Sequence, residues 1–514
     1  MASTLQARGT LTIRSEWATT IKRHPLAIGF VAFSALAVLS RLSMLHVPVD
    51  RDTGTFLYIG GDILDGHTPY AHAADNKGPV LFLVFALIRL VAGTNELVVR
   101  LALVPCLAVA ALAVAAYVKR FAGLGAAIFA GAALAVLGSS ERAGIEGSNV
   151  TGEPLGIAPV AGAWWLATRG TVRTAALSGA LAAAATLMNL GFVVIVPFVA
   201  LELWLARGPA SRLARYVAAT AGGLALTAVI AIWLGLGGAI DDARVQMIGK
   251  ATKTVGGTLE PAVHRQLLGD TPRPMLGLCL AGLLGCAIAL TNPKLRRGAI
   301  VAGLWIVVWF GRVKISPAGG NGGGAGEYYL AMPGVAAGLA FGMTDLWERA
   351  QTAWGWGRVR LAAIAALALA VAAVPFVVTP QIHDFKLSPG ERRGPGDLSE
   401  TLAHPVAKFI RSTTSSQDRI FVAGSDSEVY WLARRKAPTR FFHVYPLRWD
   451  VSYAPERRRA LLAHPPAAIV WIVGASNAEK RFGKDVVYVI RHRGYRLAYS
   501  SRGAFVWLRH GVRS

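Results

Sequence analysis

The sequence predicts a polytopic α-helical membrane protein with about eleven transmembrane helices and a small α/β domain at its C-terminal end, outside the membrane. Three observations predict this. Of 514 residues, 54% are hydrophobic and only 16% charged, against about 25% charged in an ordinary soluble domain. Mean hydropathy is +0.46. Apolar runs approaching the ~20 residues that cross a bilayer recur along the first three quarters of the chain, and the short loops between them carry lysine and arginine mostly on one side.

Each element follows in order. Residues 1–24 are polar and basic (Arg8, Arg14, Lys22, Arg23). The apolar run after them is too long for a signal-peptide core and lacks a clear cleavage site. It reads as a first span over residues 25–45 with the N-terminus inside. Residues 49–79 then lie outside and hold Asp50, Asp52, Asp62, Asp65, Asp75 and Lys77. Residues 80–91 are apolar but short and carry Arg89, so they read as a helix lying at the outer surface. Spans follow over 97–118, 124–137 and 154–167. A tight pair breaks at Asn189-Leu190-Gly191, and further spans cover 216–236, 274–290, 299–310, 328–344 and 361–378. This places Lys119, Arg120, Arg169, Arg173, Arg207, Arg212, Arg215, Lys294, Arg296 and Arg297 inside, as the positive-inside rule requires. The spans are nearly free of acids.

From residue 381 the texture changes. "SPGERRGPGD" is a linker. "DRIFVAG" and "PAAIVWIVG" read as buried strands, and "YRLAYSSRGAFVWLRH" as a hairpin around Arg502-Gly503. The chain divides into a cytoplasmic segment 1–24, a membrane region 25–380 and the α/β region 381–514. No Walker, GxGxxG or nucleophile-elbow pattern occurs in the last region. The net charge is +24, and residues 381–514 hold 23 Lys+Arg against 11 Asp+Glu, or +12. A basic face beside anionic headgroups accounts for this, and no nucleic-acid motif accompanies it. Cys106, Cys279 and Cys286 sit in apolar runs and read as small core residues.

Charged residues gather in the outer loops. Beyond Asp50, Asp52 and Lys77, the second loop holds Glu141, Arg142, Glu146, Asn149 and Glu153. The large loop 241–273 holds His264 and Arg265. A fourth holds Arg312, Lys314 and, after "GGNGGGAG", Glu327, Tyr328 and Tyr329. Carboxylates and cations on one membrane face suit transfer chemistry on a lipid phosphate. A carboxylate takes a proton from an incoming hydroxyl, and Lys and Arg stabilise the departing phosphate. Asp62 and Asp65 read as solvated faces or caps. Asp50, two residues before Asp52, faces the same side if the segment is extended.

The stretch "RDTGTFLYIGGDILDGHTPY…DNKGP" resembles the first outer loop of GT-C membrane glycosyltransferases. The branch is the one that holds protein mannosyltransferases, the lipid A aminoarabinose transferase and rhizobial galacturonosyltransferases. "SNVTGEP" and "GEYYLAMPG" resemble that branch's second acidic motif and its "HYYL…P" segment, in the same order. The family often has Asp-Glu where this chain has Asp52-Thr53. The resemblance implies a GT-C-like fold and an inverting glycosyltransferase that uses a polyprenyl-phosphate sugar. The acceptor hydroxyl belongs to an envelope glycan, lipid or protein on the outer face of the cytoplasmic membrane. It implies Asp52 as general base, aided by Asp50, with Glu153 orienting. Lys77, Arg312, Lys314 and Arg265 are the phosphate-binding candidates, and His264, Glu327 and Tyr328 the acceptor or loop candidates. No cofactor is predicted. The acids are compatible with a divalent metal, but no ligand spacing marks one. The rival class is a transporter or flippase, which requires charges buried within spans and favours internal repeats.

Overall fold

The computed structural model describes residues 24–139, 149–256, 273–315, 329–354, 398–472, 483–501 and 503–512. Helix α1 (Pro25–Leu39) starts on a proline, which suits a first helical turn. It is shorter than the sequence predicts, because a 3-10 turn (Leu42–His46) takes over its last residues. The acidic stretch that follows is largely helical. Helix α2 (Arg51–Leu64) runs through it, and α3 (Pro79–Ala92) follows, ending at Gly93 with φ +57°. Fourteen residues of α3 rise about 21 Å, too short to cross a hydrocarbon core of about 30 Å.

After a short α4 (Glu96–Leu101), α5 (Leu103–Leu137) would reach about 52 Å if straight. It is broken at Gly123, whose φ of +83° favours glycine. The break falls between the two predicted spans, just after Lys119 and Arg120. Next come α6 (Gly152–Ala167), α7 (Val172–Met188), a 3-10 turn (Leu190–Val194) and α8 (Ile195–Leu205). Asn189 makes the break between them, its side chain accepting from the Gly191 amide at 3.0 Å. Helices α9 (Arg212–Leu236), α10 (Ile240–Gly256), α11 (Arg273–Ala289), α12 (Arg296–Ile315) and α13 (Met332–Trp354) complete the described part of this region. The predicted span 361–378 lies outside the described residues.

Helix α9 is apolar, yet Leu213, Val217, Leu224, Val229, Ile232 and Leu236 are all exposed. Water is a poor solvent for such a surface and lipid a good one. On its inner side α9 packs against α7 through small residues, with Gly179 against the Ala219 backbone and Gly222 against that of Ala176. Close backbone approach through small residues is how helices associate in lipid.

The spans read as nearly free of acids, and Glu202 is an acid that does lie in one. Glu202 on α8 is fully buried. It sits one turn from the helix end and accepts from Arg297 (2.8 Å), Tyr117 (3.1 Å) and Trp164 (3.4 Å). Buried and paired, it fastens α5, α6, α8 and α12 together at the basic-loop side.

The C-terminal region comprises α14 (Leu398–Thr413), β1 (Ile420–Val422), α15 (Glu428–Ala433), α16 (Tyr445–Trp449), α17 (Ala454–Ala463), β2 (Ala468–Ile472), α18 (Lys484–His492), β3 (Tyr495–Ser501) and β4 (Ala504–Arg509). The strand order is β1-β2-β4-β3. Strands β1 and β2 are parallel, with Ile420 opposite Ala468. Strand β4 is antiparallel to β2, with Val506 opposite Val470, and pairs with β3 as a hairpin turned by Gly503 at φ +96°. All three strand stretches read from the sequence fall on these strands. One apolar core runs from the membrane helices into this sheet, joining Phe56, Leu57 and Phe82 to Val422, Tyr430 and Val506.

Candidate active site

The site is built where α2 begins. Asp50 keeps an extended backbone (φ −73°, ψ 165°), but Arg51 and Asp52 are already helical, so it caps α2 instead of forming an extended pair with Asp52. Its Oδ1 accepts from the amides of Asp52 and Thr53, both at 2.9 Å, and its Oδ2 accepts from Thr53 Oγ1 at 2.5 Å. An aspartate at this position satisfies amides that have no partner inside the helix. Thr53 Oγ1 also reaches the Val150 carbonyl (3.1 Å), tying α2 to the segment that carries Glu153.

Asp52 lies in a recess. About half of its side-chain surface (47%) remains open, and the Arg51 guanidinium lies 4.0 Å away. The surrounding protein nevertheless strips solvation from the carboxyl. That desolvation raises its pKa to about 6, against the pull of Arg51 and Lys77 and with the help of Asp50 and Asp75.

Lys77 is held from behind. Its amide donates to Asp75 Oδ1 (2.9 Å), and its carbonyl accepts from Tyr70 Oη (2.7 Å). Its Nζ lies 3.3 Å from Glu153 Oε1. Glu153 is buried in the first turn of α6, and the same oxygen accepts from Asn189 Nδ2 at 2.9 Å. Arg312, in the last turns of α12, stacks against Phe192 and Trp309 at 5.8 Å from each ring. Its Nη1 and the Trp309 Nε1 are buried donors with no hydrogen-bond partner among the described residues. Donors of this kind call for an acceptor from elsewhere.

The C-terminal region closes over the same loop. His443 is fully buried. Its Nε2 reaches the Ala74 carbonyl at 3.0 Å and Asp75 Oδ2 at 3.4 Å. The Ala74 amide donates to the Arg440 carbonyl at 2.9 Å. Burial lowers the His443 pKa, and Asp75 opposes this only in part. The backbone of Gly54 lies so close to that of Glu428 that a Cβ there would sit 2.5 Å from the Glu428 backbone.

The structure thus brings Lys77, Glu153 and Arg312 together, with Asp52 near enough to Lys77 for their charges to act on one another. It leaves Asp50 as a cap. Asp62 is no solvated face, because it pairs with His67 (2.9 Å) and approaches Lys436 (3.7 Å). Asp65 ends α2 and pairs with Lys436 at 2.7 Å. His264, Arg265, Glu327 and Tyr328 lie outside the described residues, as does the side chain of Lys314. Sequence reasoning missed Asn189 and His443 as site residues. Asn189 was visible only as a polar break between two apolar helices, and nothing in "RFFHVYP" signalled His443.

No protein-family profile and no curated protein sequence matches this chain. Solved structures do. The crystal structure of ArnT, an aminoarabinose transferase, from Cupriavidus metallidurans bound to undecaprenyl phosphate is similar at a TM-score of 0.60. Identity is 16%, over 94% of this chain and 98% of that one. At this identity the likeness is one of fold. The apo form of the same ArnT gives 0.57, also at 16% identity, over 93% and 97% of the two chains. The archaeal oligosaccharyltransferase AglB from Archaeoglobus fulgidus, in complex with an inhibitory peptide and a dolichol-phosphate, gives 0.50 at 12% identity, over 96% of this chain and 75% of that one. These neighbours are integral membrane proteins, in accord with the lipid-compatible surface of α9.

Proposed function

We propose that the protein is an inverting glycosyltransferase that moves a sugar from a polyprenyl-phosphate donor to a hydroxyl acceptor at the outer face of the cytoplasmic membrane. The observation that carries this reading is the paired arrangement at the site. The Asp52 carboxyl, its pKa raised to about 6, feels the charge of Lys77, Lys77 pairs with Glu153 at 3.3 Å, and Arg312 has a buried donor lacking an acceptor among the described residues. The fold likeness supports it, since two neighbours are described with undecaprenyl phosphate or dolichol-phosphate bound.

In the reaction, the acceptor oxygen attacks the anomeric carbon as the bond from that carbon to the phosphate oxygen breaks. Asp52 takes the hydroxyl proton. The bonding electrons leave with the phosphate, whose growing charge Lys77 and Arg312 stabilise. Glu153, with Asn189, keeps Lys77 aimed until the phosphate arrives. The products are an inverted glycoside and polyprenyl phosphate, and the exposed side of Asp52 returns the proton to water. A lipid-linked donor fits the outer face, where nucleotide sugars are absent. The acceptor is an envelope glycan, lipid or protein. Lys314, Arg265, His264, Glu327 and Tyr328 are the residues proposed to extend the donor and acceptor contacts, and residues 381–514 the region proposed to lie outside with them.

Asp52→Asn tests the reading. With the protein folded and membrane-inserted, transfer from a polyprenyl-phosphate sugar is expected to fall by roughly 10²- to 10⁴-fold, the usual contribution of a general base. Full transfer by this variant removes Asp52 from the mechanism.

A further inference from the structure

A groove of about 370 Å³ opens between α1, α5, α6 and α7, and no residue of the transfer site lines it. Its walls are apolar throughout. Val109, Leu112 and Ala113 come from α5, and Ala158, Gly162 and Trp165 from α6, with Leu26 of α1 and Leu181 of α7 beside them. Leu26 and Val109 are 63% and 43% exposed, so the groove opens outward. Water finds no hydrogen-bond partner in such a hollow, and hydrocarbon fills it.

Two arginines stand at one end of this groove. Arg120 follows Val109 by eleven residues, and Arg169 follows Ala158 by eleven. Eleven residues make about three full helical turns. Each arginine therefore continues the stripe that forms its wall. Helix α5 stays regular past Arg120, since its break comes only at Gly123. Arg169 lies just beyond α6, its amide bonded to the Leu166 carbonyl at 3.1 Å. Its guanidinium lies 5.1 Å from the centre of the Trp165 ring, which itself lines the groove.

Arg120 donates to the Thr168 carbonyl, which brings the two helix ends together. The two arginines lie near enough for their charges to act on one another. Both are exposed, and neither has a carboxylate within ion-pair distance among the described residues. Each guanidinium carries five N–H donors, so most remain available to a bridging anion. A basic pocket between helices on the side of the basic loops is a recurring headgroup site.

We propose that this groove binds an anionic phospholipid from the leaflet on the basic-loop side. One acyl chain lies along the groove, and Arg120 and Arg169 hold the phosphate. Trp165 lies twelve residues, or about 18 Å, along α6 from Glu153, so the lipid sits at the far end of that helix from the transfer site. It joins α1 to the seam of α5, α6 and α7. The inference does not rest on the transfer reaction, because its readout is lipid binding.

The test is photo-crosslinking of the full-length protein in phosphatidylcholine vesicles that carry phosphatidylglycerol with a diazirine in its acyl chain. Label on the wild type is expected to concentrate on the peptides that contain Leu112 and Trp165. Arg120→Gln/Arg169→Gln is expected to lower that label roughly tenfold or more, given the loss of two cations near the surface. Ala158→Phe fills the groove, leaves both arginines in place and is expected to lower it as well. Lys294→Gln, an exposed cation on the same side, is expected to keep it. Arg169→Gln alone is expected to fall between, which guards against misfolding of the double variant. Label that survives either the charge change or the filling change overturns the proposal. Equal labelling by phosphatidylcholine with the same diazirine chain does so too, because the arginines would then select nothing. So does loss of the label on adding polyprenyl phosphate, because the groove would then hold a donor tail.

Discussion

Asp52 is the proposed general base, and its environment makes a prediction about pH. A general base works only when ionised. With the carboxyl pKa raised to about 6, kcat/KM is expected to rise with pH through a limb centred near 6 and to level off above 7. The measurement is a pH–rate profile with a soluble acceptor, and a limb near 4 would show that the raised pKa is not catalytic. Lys77 makes a second prediction. Its loop is held by Asp75, and Asp75 by His443. His443→Phe is expected to raise the KM for the donor several-fold with a smaller change in kcat, since the ring positions the loop rather than touching the reacting atoms. Asp52, Lys77 and Glu153 were legible as candidates because they stand in short, ordered motifs. Asn189 and His443 were not. Asn189 meets Glu153 from 36 residues away, and His443 meets Ala74 from 369 residues away, distances over which a sequence pattern carries no pairing information.

The elements were legible to the extent that hydrophobicity wrote them. The apolar helices, the break at Asn189, the turn at Gly123 and the strands of the C-terminal region all followed from runs, periodicity and glycine. Helix α2 did not. The acids along and around it look like a solvated loop, but Asp50 supplies the cap and Phe56, Leu57 and Ile59 supply the buried face. Capping uses up the Asp50 carboxylate and leaves Asp52, paired only loosely with Arg51 at 4.0 Å, half exposed. The close approach of Gly54 to Glu428 gives this scale its prediction. Gly54→Val forces a side chain into the Glu428 backbone and is expected to cost about 1–3 kcal/mol, the range for overpacking. Thermal unfolding in detergent, with transfer measured on the same samples, checks it; an unchanged midpoint would mean that the α2–α15 seam yields easily.

At the scale of the whole molecule, a bundle of apolar helices carries the proposed site on one face, and the C-terminal region packs onto the loop that holds Lys77. The shared core from Phe56 to Val506 makes the C-terminal region part of the site's architecture rather than a tethered appendage. The sequence showed that such a region exists. Its docking was hidden, because the contacts run between side chains far apart in the chain, such as Trp431 with Gly93 and Ala437 with Tyr58. The central claim is that Lys77 and Arg312 hold a polyprenyl phosphate. The most direct test is mass spectrometry of the lipid that co-purifies with the protein from its native membrane, comparing wild type with Lys77→Gln/Arg312→Gln. The account predicts a polyprenyl phosphate, with or without its sugar, on the wild type and its loss from the double variant. Equal retention of polyprenyl phosphate by both proteins would contradict it.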